Sequence, residues 1–332
     1  MKAAKVVVVG SGSWGTALAH IFADAQNEVR LWGRDLKVLQ EIDSTHQNLK
    51  YLKGLLLNER IKTQSDLAKG LAWAEVIVCS VPTQQIRSVF EKHFELLKGK
   101  MIVNASKGIE QGTHQRVSEI FMGLQPDLRY VVLSGPSFAE EAVKQLPTAV
   151  TVASNILSEA QWVQERVSTA YFRAYTTNDV IGVELAGAMK NIVAIASGVV
   201  SGLNLGFNAQ AALINRGMTE IARLGRPLGA EPLTFLGLAG MGDLVLTCTG
   251  PLSRNRRFGQ MIGEGKSIPD IMSQLGGVAE GYYTSKSAFE LAKMVKVEMP
   301  ITEQVYALLY EGATAKEAVT NLMNRELRNE WE

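Results

Sequence analysis

Histidine and cysteine are scarce in this chain of 332 residues, with four of the first and two of the second. Cys79 and Cys248 cannot build a disulfide framework, and His20, His46, His93 and His114 are scattered without metal-ligand spacing. A disulfide-stapled secreted module is excluded, no metal site is expected, and a reducing cytoplasmic setting fits. Charge of one sign is also lacking: 34 Lys and Arg face 33 Asp and Glu, a net of +1. No field is available to grip a nucleic-acid backbone, so any bound phosphate must be recognised locally. A lipid-facing run is missing too. The 25 residues between Lys190 and Arg216 carry no charge, about the length of a membrane span. Yet Asn191, Asn204, Asn208, Gln210 and Asn215 are amides that hydrocarbon does not accept, and Gly198, Gly202 and Gly206 loosen the helix. A helix buried among other helices is expected there, not a transmembrane segment. The opening MKAAKVVVVG runs straight into Gly-Ser-Gly without a small-residue cleavage site, so it reads as a first strand and not as a leader.

What is present is an ordinary globular composition, 46% hydrophobic and 20% charged, long enough for about two domains. From residue 5 to about 176, short β-branched runs alternate with amphipathic helical stretches, the pattern of βαβ units and a mostly parallel sheet with helices on both faces. Strands are expected at 5–9, 28–32, 75–80, 101–104, 130–133, 148–153 and 171–175, and helices at 16–25, 84–97, 113–122 and 158–168. After about 178 helical periodicity takes over, at 180–200, 209–224, 268–274, 284–294, 301–310 and 315–323. The expectation is therefore an α/β domain over 1–178 followed by an all-helical domain over 179–332.

In KVVVVGSGSWGTALA, Gly10, Gly12 and Gly15 spell G-x-G-x-x-G between an expected strand and an expected helix. The glycines allow a tight turn, close approach of a pyrophosphate and close helix–strand packing, while the helix N-terminus faces the anion. A ligand-free turn rich in glycine is the alternative; placed at the head of a βαβ pattern, the motif favours a Rossmann-like dinucleotide site. The second strand ends in Leu-Trp-Gly-Arg34-Asp35, where the adenosine ribose is read. Arg34 can meet a 2′-phosphate, which favours acceptance of NADPH, whereas Asp35 can bond a ribose hydroxyl or simply cap the next helix.

Other polar residues stand at strand ends or inside apolar helical sequence. Lys107 follows one expected strand, and Gly135 and Ser137 follow another, where doubly wound sheets bind ligands. Lys190 sits at the edge of the uncharged run. Desolvation would lower its pKa and prepare a neutral amine to take a proton; snorkelling to the surface is the structural alternative. Asp243 lies in the apolar stretch 235–247 and calls for a partner cation or a turn to cap. Ser253, Arg254 and Asn255 open a basic cluster suited to one phosphate, or to a solvated helix start.

Together these blocks resemble the NAD(P)-dependent glycerol-3-phosphate dehydrogenases of the soluble bacterial type, over nearly the whole chain. The blocks are GSGSWGTALA, LWGRD, NASKGIE, LSGPSFAEE, GVELAGAMKNIVAI, GLAGMGDLVLTCTG, SRNRRFG, VAEGYYT and EMPIT. The resemblance implies reversible reduction of dihydroxyacetone phosphate to sn-glycerol 3-phosphate with NADPH or NADH, supplying phospholipid synthesis, by a cytoplasmic homodimer. It makes Lys190 the catalytic proton acceptor, with Asp243 orienting or balancing it. Ser13, Trp14, Arg34, Lys107, Ala139, Arg254, Val278 and Glu280 would line the cofactor; Lys107, Gly135, Ser137, Lys190, Asp243, Ser253, Arg254 and Asn255 would surround the substrate. Two other readings share the layout. One is a β-hydroxyacid dehydrogenase of the 6-phosphogluconate type, the other a dinucleotide-sensing regulator without catalysis.

Overall fold

The computed structural model describes residues 3–275, 279–327 and 329–330. Eight strands form one sheet in the order β3-β2-β1-β4-β5-β6-β7-β8. They are β1 (Lys5–Val9), β2 (Glu28–Trp32), β3 (Lys62–Gln64), β4 (Val76–Cys79), β5 (Met101–Asn104), β6 (Arg129–Ser134), β7 (Thr148–Ala153) and β8 (Phe172–Thr177). Every pairing is parallel except β6 with β7. The Val run of β1 shows why the sheet lies in the interior. Val6 and Val8 enter one apolar cluster, Val7 and Val9 the opposite one, and all four are fully buried. Alternation along a strand sends successive side chains to opposite faces, so a continuous apolar run requires cover on both.

A third apolar cluster surrounds the helix Val180–Gly202. Asp179 caps it, accepting from the Gly182 N–H at 2.8 Å. This helix is long and apolar enough to cross a membrane, but 94% of its most apolar stretch is buried inside the protein, where the other helices supply the apolar surroundings. The helix Arg254–Gly263 crosses it almost backbone to backbone: a Cβ on Gly198 would lie 2.0 Å from the Arg256 carbonyl oxygen, and one on Gly259 would lie 1.9 Å from that of Ile195.

Several local expectations needed correction. β3 was missed because Lys-Thr-Gln has no apolar face to report; it pairs only with β2 at the sheet edge. The helix expected over 84–97 is broken into the 3₁₀ turn Thr83–Gln85, the short helix Ile86–Phe90 and a second 3₁₀ segment, Glu91–Leu97. The helix expected from 113 starts only at Val117, after His114 takes a left-handed backbone (φ +53 to +67 being the range of such residues here, φ 59 at His114). The helix after the glycine fingerprint starts earlier than expected, as Ser13–Asp24. The stretch 301–310 ends in a π-helical turn, Ala307–Glu311.

Candidate active site

The chain turns sharply after β1. Gly10 has φ +122, and a Cβ there would stand 2.6 Å from the Ser80 carbonyl oxygen just beyond β4, so the turn that leaves β1 has room only for glycine. Gly12 caps the helix Ser13–Asp24 without any side-chain hydrogen bond to its first turn. Those N–H groups stand at the wall of a cleft of about 750 Å³ at the carboxyl ends of the strands, the arrangement that binds a pyrophosphate.

The cleft brings together most of the residues singled out for the cofactor. Gly10, Gly12, Ser13, Trp14, Gly15, Arg34, Lys107, Ala139, Arg254 and Glu280 all line it. Val278 lies outside the described residues. At the β2 end, Asp35 is already engaged: its Oδ1 caps the helix Leu36–Thr45 by accepting from the Lys37 and Val38 N–H groups, and its Oδ2 accepts from Lys50 Nζ at 2.8 Å. The bond from Lys50 holds the Asp35 carboxyl below the usual carboxylate range, although the site is exposed. Arg34 is exposed beside it on the same wall.

Two lining residues keep buried polar atoms without a protein partner, Trp14 Nε1 and Glu280 Oε2. Burial pushes the Glu280 carboxyl up to about 7, against the charge of Arg254 and a hydrogen bond from the Thr83 backbone. A buried polar atom left without a bond is costly, so these atoms, together with the open helix N-terminus, fit a polar ligand of dinucleotide type.

A buried ionic cluster is reached through Lys107. Its Nζ donates to Asp243 Oδ2 at 2.6 Å, and Lys190 Nζ donates to Asp243 Oδ1 at 2.5 Å. Lys190 also donates to Thr247 Oγ1 at 2.8 Å, and the Thr247 hydroxyl in turn donates to the Asp243 carbonyl at 2.6 Å. Lys190 does not snorkel; it is buried within its helix packing. Burial lowers its pKa to about 8, with the Asp243 charge opposing the shift and the Lys107 charge adding to it. Burial alone would raise the Asp243 pKa, but the two ammonium groups outweigh it and hold the carboxyl below its ordinary value. The result is an ionised carboxylate between two amines, one of which can change protonation near neutral pH.

The remaining substrate candidates surround this cluster unequally. The Gly135 carbonyl accepts from Lys107 Nζ at 3.4 Å and from the Ser137 hydroxyl at 2.9 Å, and Ser137 lines the cleft. Arg254 and Asn255 occupy the first turn of their helix and line the cleft. Asn255 is fixed by donating to Asn191 Oδ1 at 2.8 Å and accepting from the Gly281 N–H at 3.0 Å. Ser253 is buried and spends its hydroxyl oxygen capping the same helix, accepting from the Arg256 N–H at 3.2 Å. Sequence reasoning overlooked Thr247, Asn191 and Lys50. Thr247 was within reach, since it lies four residues beyond Asp243 and shares its helix face; Lys50 sits in a loop with no signal at all. Both cysteines are buried, and burial pushes their thiols up to about 11 for Cys79 and about 12 for Cys248, so neither is a nucleophile.

A glycine-turn cleft whose lining lysine, Lys107, shares a buried carboxylate with a second, buried lysine fits the class of pyridine-nucleotide dehydrogenases. Comparison with known proteins narrows it. Residues 5–160 match the family model "NAD-dependent glycerol-3-phosphate dehydrogenase N-terminus" and residues 179–320 match its C-terminal counterpart. The chain is 48% identical to the glycerol-3-phosphate dehydrogenase (NAD(P)+) of Citrifermentans bemidjiense, covering 99% of both, and 47% identical to that of Bacillus cytotoxicus, covering 99% of this chain and 97% of the relative. The crystal structure of glycerol-3-phosphate dehydrogenase from Coxiella burnetii superposes with a TM-score of 0.93 at 38% identity, over 97% of this chain and 99% of that one. The chain belongs to the NAD-dependent glycerol-3-phosphate dehydrogenase family and is an oxidoreductase. That membership decides against the 6-phosphogluconate type and against a regulator without catalysis.

Proposed function

We infer that the protein reduces dihydroxyacetone phosphate reversibly to sn-glycerol 3-phosphate with NADPH or NADH, and that the product serves glycerophospholipid synthesis. The observation that carries the reading is the buried Lys190–Asp243 pair, 2.5 Å apart and joined through Asp243 to Lys107, which lines the cleft together with Arg254 and Asn255. The bound nicotinamide supplies the hydride. Lys190, as ammonium, gives a proton to the ketone oxygen, and as neutral amine takes it back in oxidation. Asp243 holds that amine in place, with Thr247 as its second partner. Arg254, Asn255 and Lys107 surround the substrate phosphate, whose grip is used for orientation of the carbinol carbon. Gly135 and Ser137 complete that side. Residues 1–178 form the cofactor domain and 179–332 the substrate domain. Nicotinamide absorbance followed with dihydroxyacetone phosphate, unphosphorylated dihydroxyacetone and 6-phosphogluconate tests the function: rapid oxidation of NADPH is expected with the first alone, and equal rates with the first two would remove the phosphate from the reading.

Arg34 is the proposed reader of the 2′-phosphate, since Asp35 is tied to Lys50 and to its own helix. Arg34→Ala is expected to raise KM for NADPH by about tenfold, the worth of one charge-assisted hydrogen bond, and to leave KM for NADH within twofold. Because the guanidinium is exposed, the gap narrows at high salt. Equal shifts for both cofactors would remove the assignment. The reading also includes a cytoplasmic homodimer. Phe207 is 87% exposed, Leu233 78% and Leu236 70% on the helical region, apolar surface of the kind a second copy covers; sedimentation equilibrium distinguishes dimer from monomer.

A further inference from the structure

Six residues before Lys190 on the same helix lies a second buried ionisable group, Glu184. It touches none of Lys190, Lys107 or Asp243 by any hydrogen bond. A helix rises about 1.5 Å and turns about 100° per residue, which puts the two side chains roughly 9 Å apart along the axis and on different sides. Glu184 faces the sheet region. Its carboxylate accepts from the Ser118 N–H at 2.8 Å, the Ser118 hydroxyl at 2.6 Å, the Tyr130 hydroxyl at 2.6 Å and Arg116 Nη1 at 3.0 Å.

The origin of those donors matters more than their number. Ser118 is the second residue of the helix Val117–Leu124, so its N–H is one of the first-turn donors that the helix itself leaves unbonded. Arg116 immediately precedes that helix, at the end of the connection from β5 that also carries Lys107. Tyr130 stands on β6, whose far end leads into Gly135, the carbonyl acceptor of Lys107. Glu184 thus ties the Lys190 helix to the two segments of the sheet region that present Lys107.

Apolar packing would let a helix slide or rotate slightly at small cost, whereas four directional bonds to one carboxylate fix both its height and its rotation. Burying a carboxylate is expensive, and a hydrophobic side chain of similar volume often does as well for stability alone. We propose that Glu184 is a positioning residue: it sets the register of the Lys190 helix against the sheet, so that the Lys190 amine and the cofactor cleft meet at reacting distance. The inference rests on the role of Lys190 given above. A misplacement of about 1 Å is enough to lose about 10²-fold in rate, so the tie is expected to govern kcat and not ligand affinity.

The test uses Glu184→Gln and Tyr130→Phe in the full chain, with Lys190→Ala alongside. Active sites are counted by NADPH fluorescence titration, so that kcat is expressed per cofactor-binding site and loss of folded protein does not enter. Glu184→Gln is expected to lower kcat by about 10- to 100-fold, with the dissociation constant for NADPH within twofold and KM for dihydroxyacetone phosphate within threefold of the parent. Tyr130→Phe, which removes one of the four bonds, shows the same split with a smaller loss, and it carries the test alone if Glu184→Gln does not fold. Parent-like kcat per site, or a rise in KM as large as the fall in kcat, overturns the proposal. Should Lys190→Ala turn over normally, the role of Lys190 itself fails; should Lys190→Ala be crippled while Glu184→Gln and Tyr130→Phe are parent-like, only the positioning role fails.

Discussion

Lys190→Ala is expected to lower kcat by about 10²- to 10⁴-fold, the usual worth of general acid–base catalysis, while NADPH affinity stays nearly unchanged. The lysine is buried, its pKa is lowered to about 8 chiefly by that burial, and among the described residues its amine donates to Asp243 and Thr247. Among the described residues the hydrogen bonds of Lys190 run to Asp243 and Thr247 and not to Gly10, Gly12 or Gly15, so the cofactor turn is expected to survive its removal. The pH dependence follows from the same group. Reduction needs the ammonium form and is expected to fall as pH rises through about 8; oxidation needs the neutral amine and climbs through the same range. The variant loses both limbs. Steady-state rates in the two directions from pH 6 to 10 check this, and near-normal turnover of Lys190→Ala at saturating substrate would falsify the assignment.

Asp243→Asn is the second large effect, and it acts on stability and on chemistry together. The carboxylate is buried between two ammonium groups at 2.6 and 2.5 Å. Removing its charge leaves two like charges facing each other in a dry site, a change worth about 3–5 kcal/mol when one partner of a buried pair is lost. Part of that cost is avoided if Lys190 gives up its proton. Asp243 raises the pKa of Lys190 and Lys107 lowers it, so without the carboxylate the titration moves below about 8. At neutral pH a larger share of the amine is then neutral, and reduction suffers more than oxidation. Urea unfolding gives the stability change, and the pH–rate profile gives the second part. A profile that still turns near 8 would mean that Asp243 does not set the protonation of Lys190.

How far the sequence revealed this site depended on distance along the chain. The fingerprint turn was legible because all its parts fall within six residues, Gly10 to Gly15, and geometry follows directly from spacing. Val6 to Val9 announced a strand covered on both faces for the same reason. The pairing of Lys107 with Asp243 spans 136 positions, and no local pattern encodes it; each residue alone admitted a solvated or turn-capping role. The edge strand Lys62–Gln64 was invisible because its three polar side chains carry no period. Over 84–97 the apolar residues recur at helical spacing, but the backbone tightens into 3₁₀ turns on either side of Ile86–Phe90, a difference of hydrogen-bond register that periodicity does not resolve. Asp35 offered two roles; the structure shows it capping its helix through the Lys37 and Val38 N–H groups and accepting from Lys50, a loop residue 15 positions away that no local pattern points to.

The glycine crossing between the Lys190 helix and the Arg254 helix has a consequence for substrate length. With Gly198 facing the Arg256 carbonyl and Gly259 facing that of Ile195, the two backbones are already in contact and cannot move closer. One helix carries Lys190, the proposed proton donor, and the first turn of the other carries Arg254 and Asn255, the proposed phosphate grip. The span from phosphate grip to reacting oxygen is then a fixed gauge, cut by two rigid rods touching at glycine. On those proposed roles, a phosphoester whose carbinol is one carbon farther from the phosphate is expected to overshoot the amine, and a shorter one to fall short of it. Selection by length would then come from the close approach of two backbones at Gly198 and Gly259.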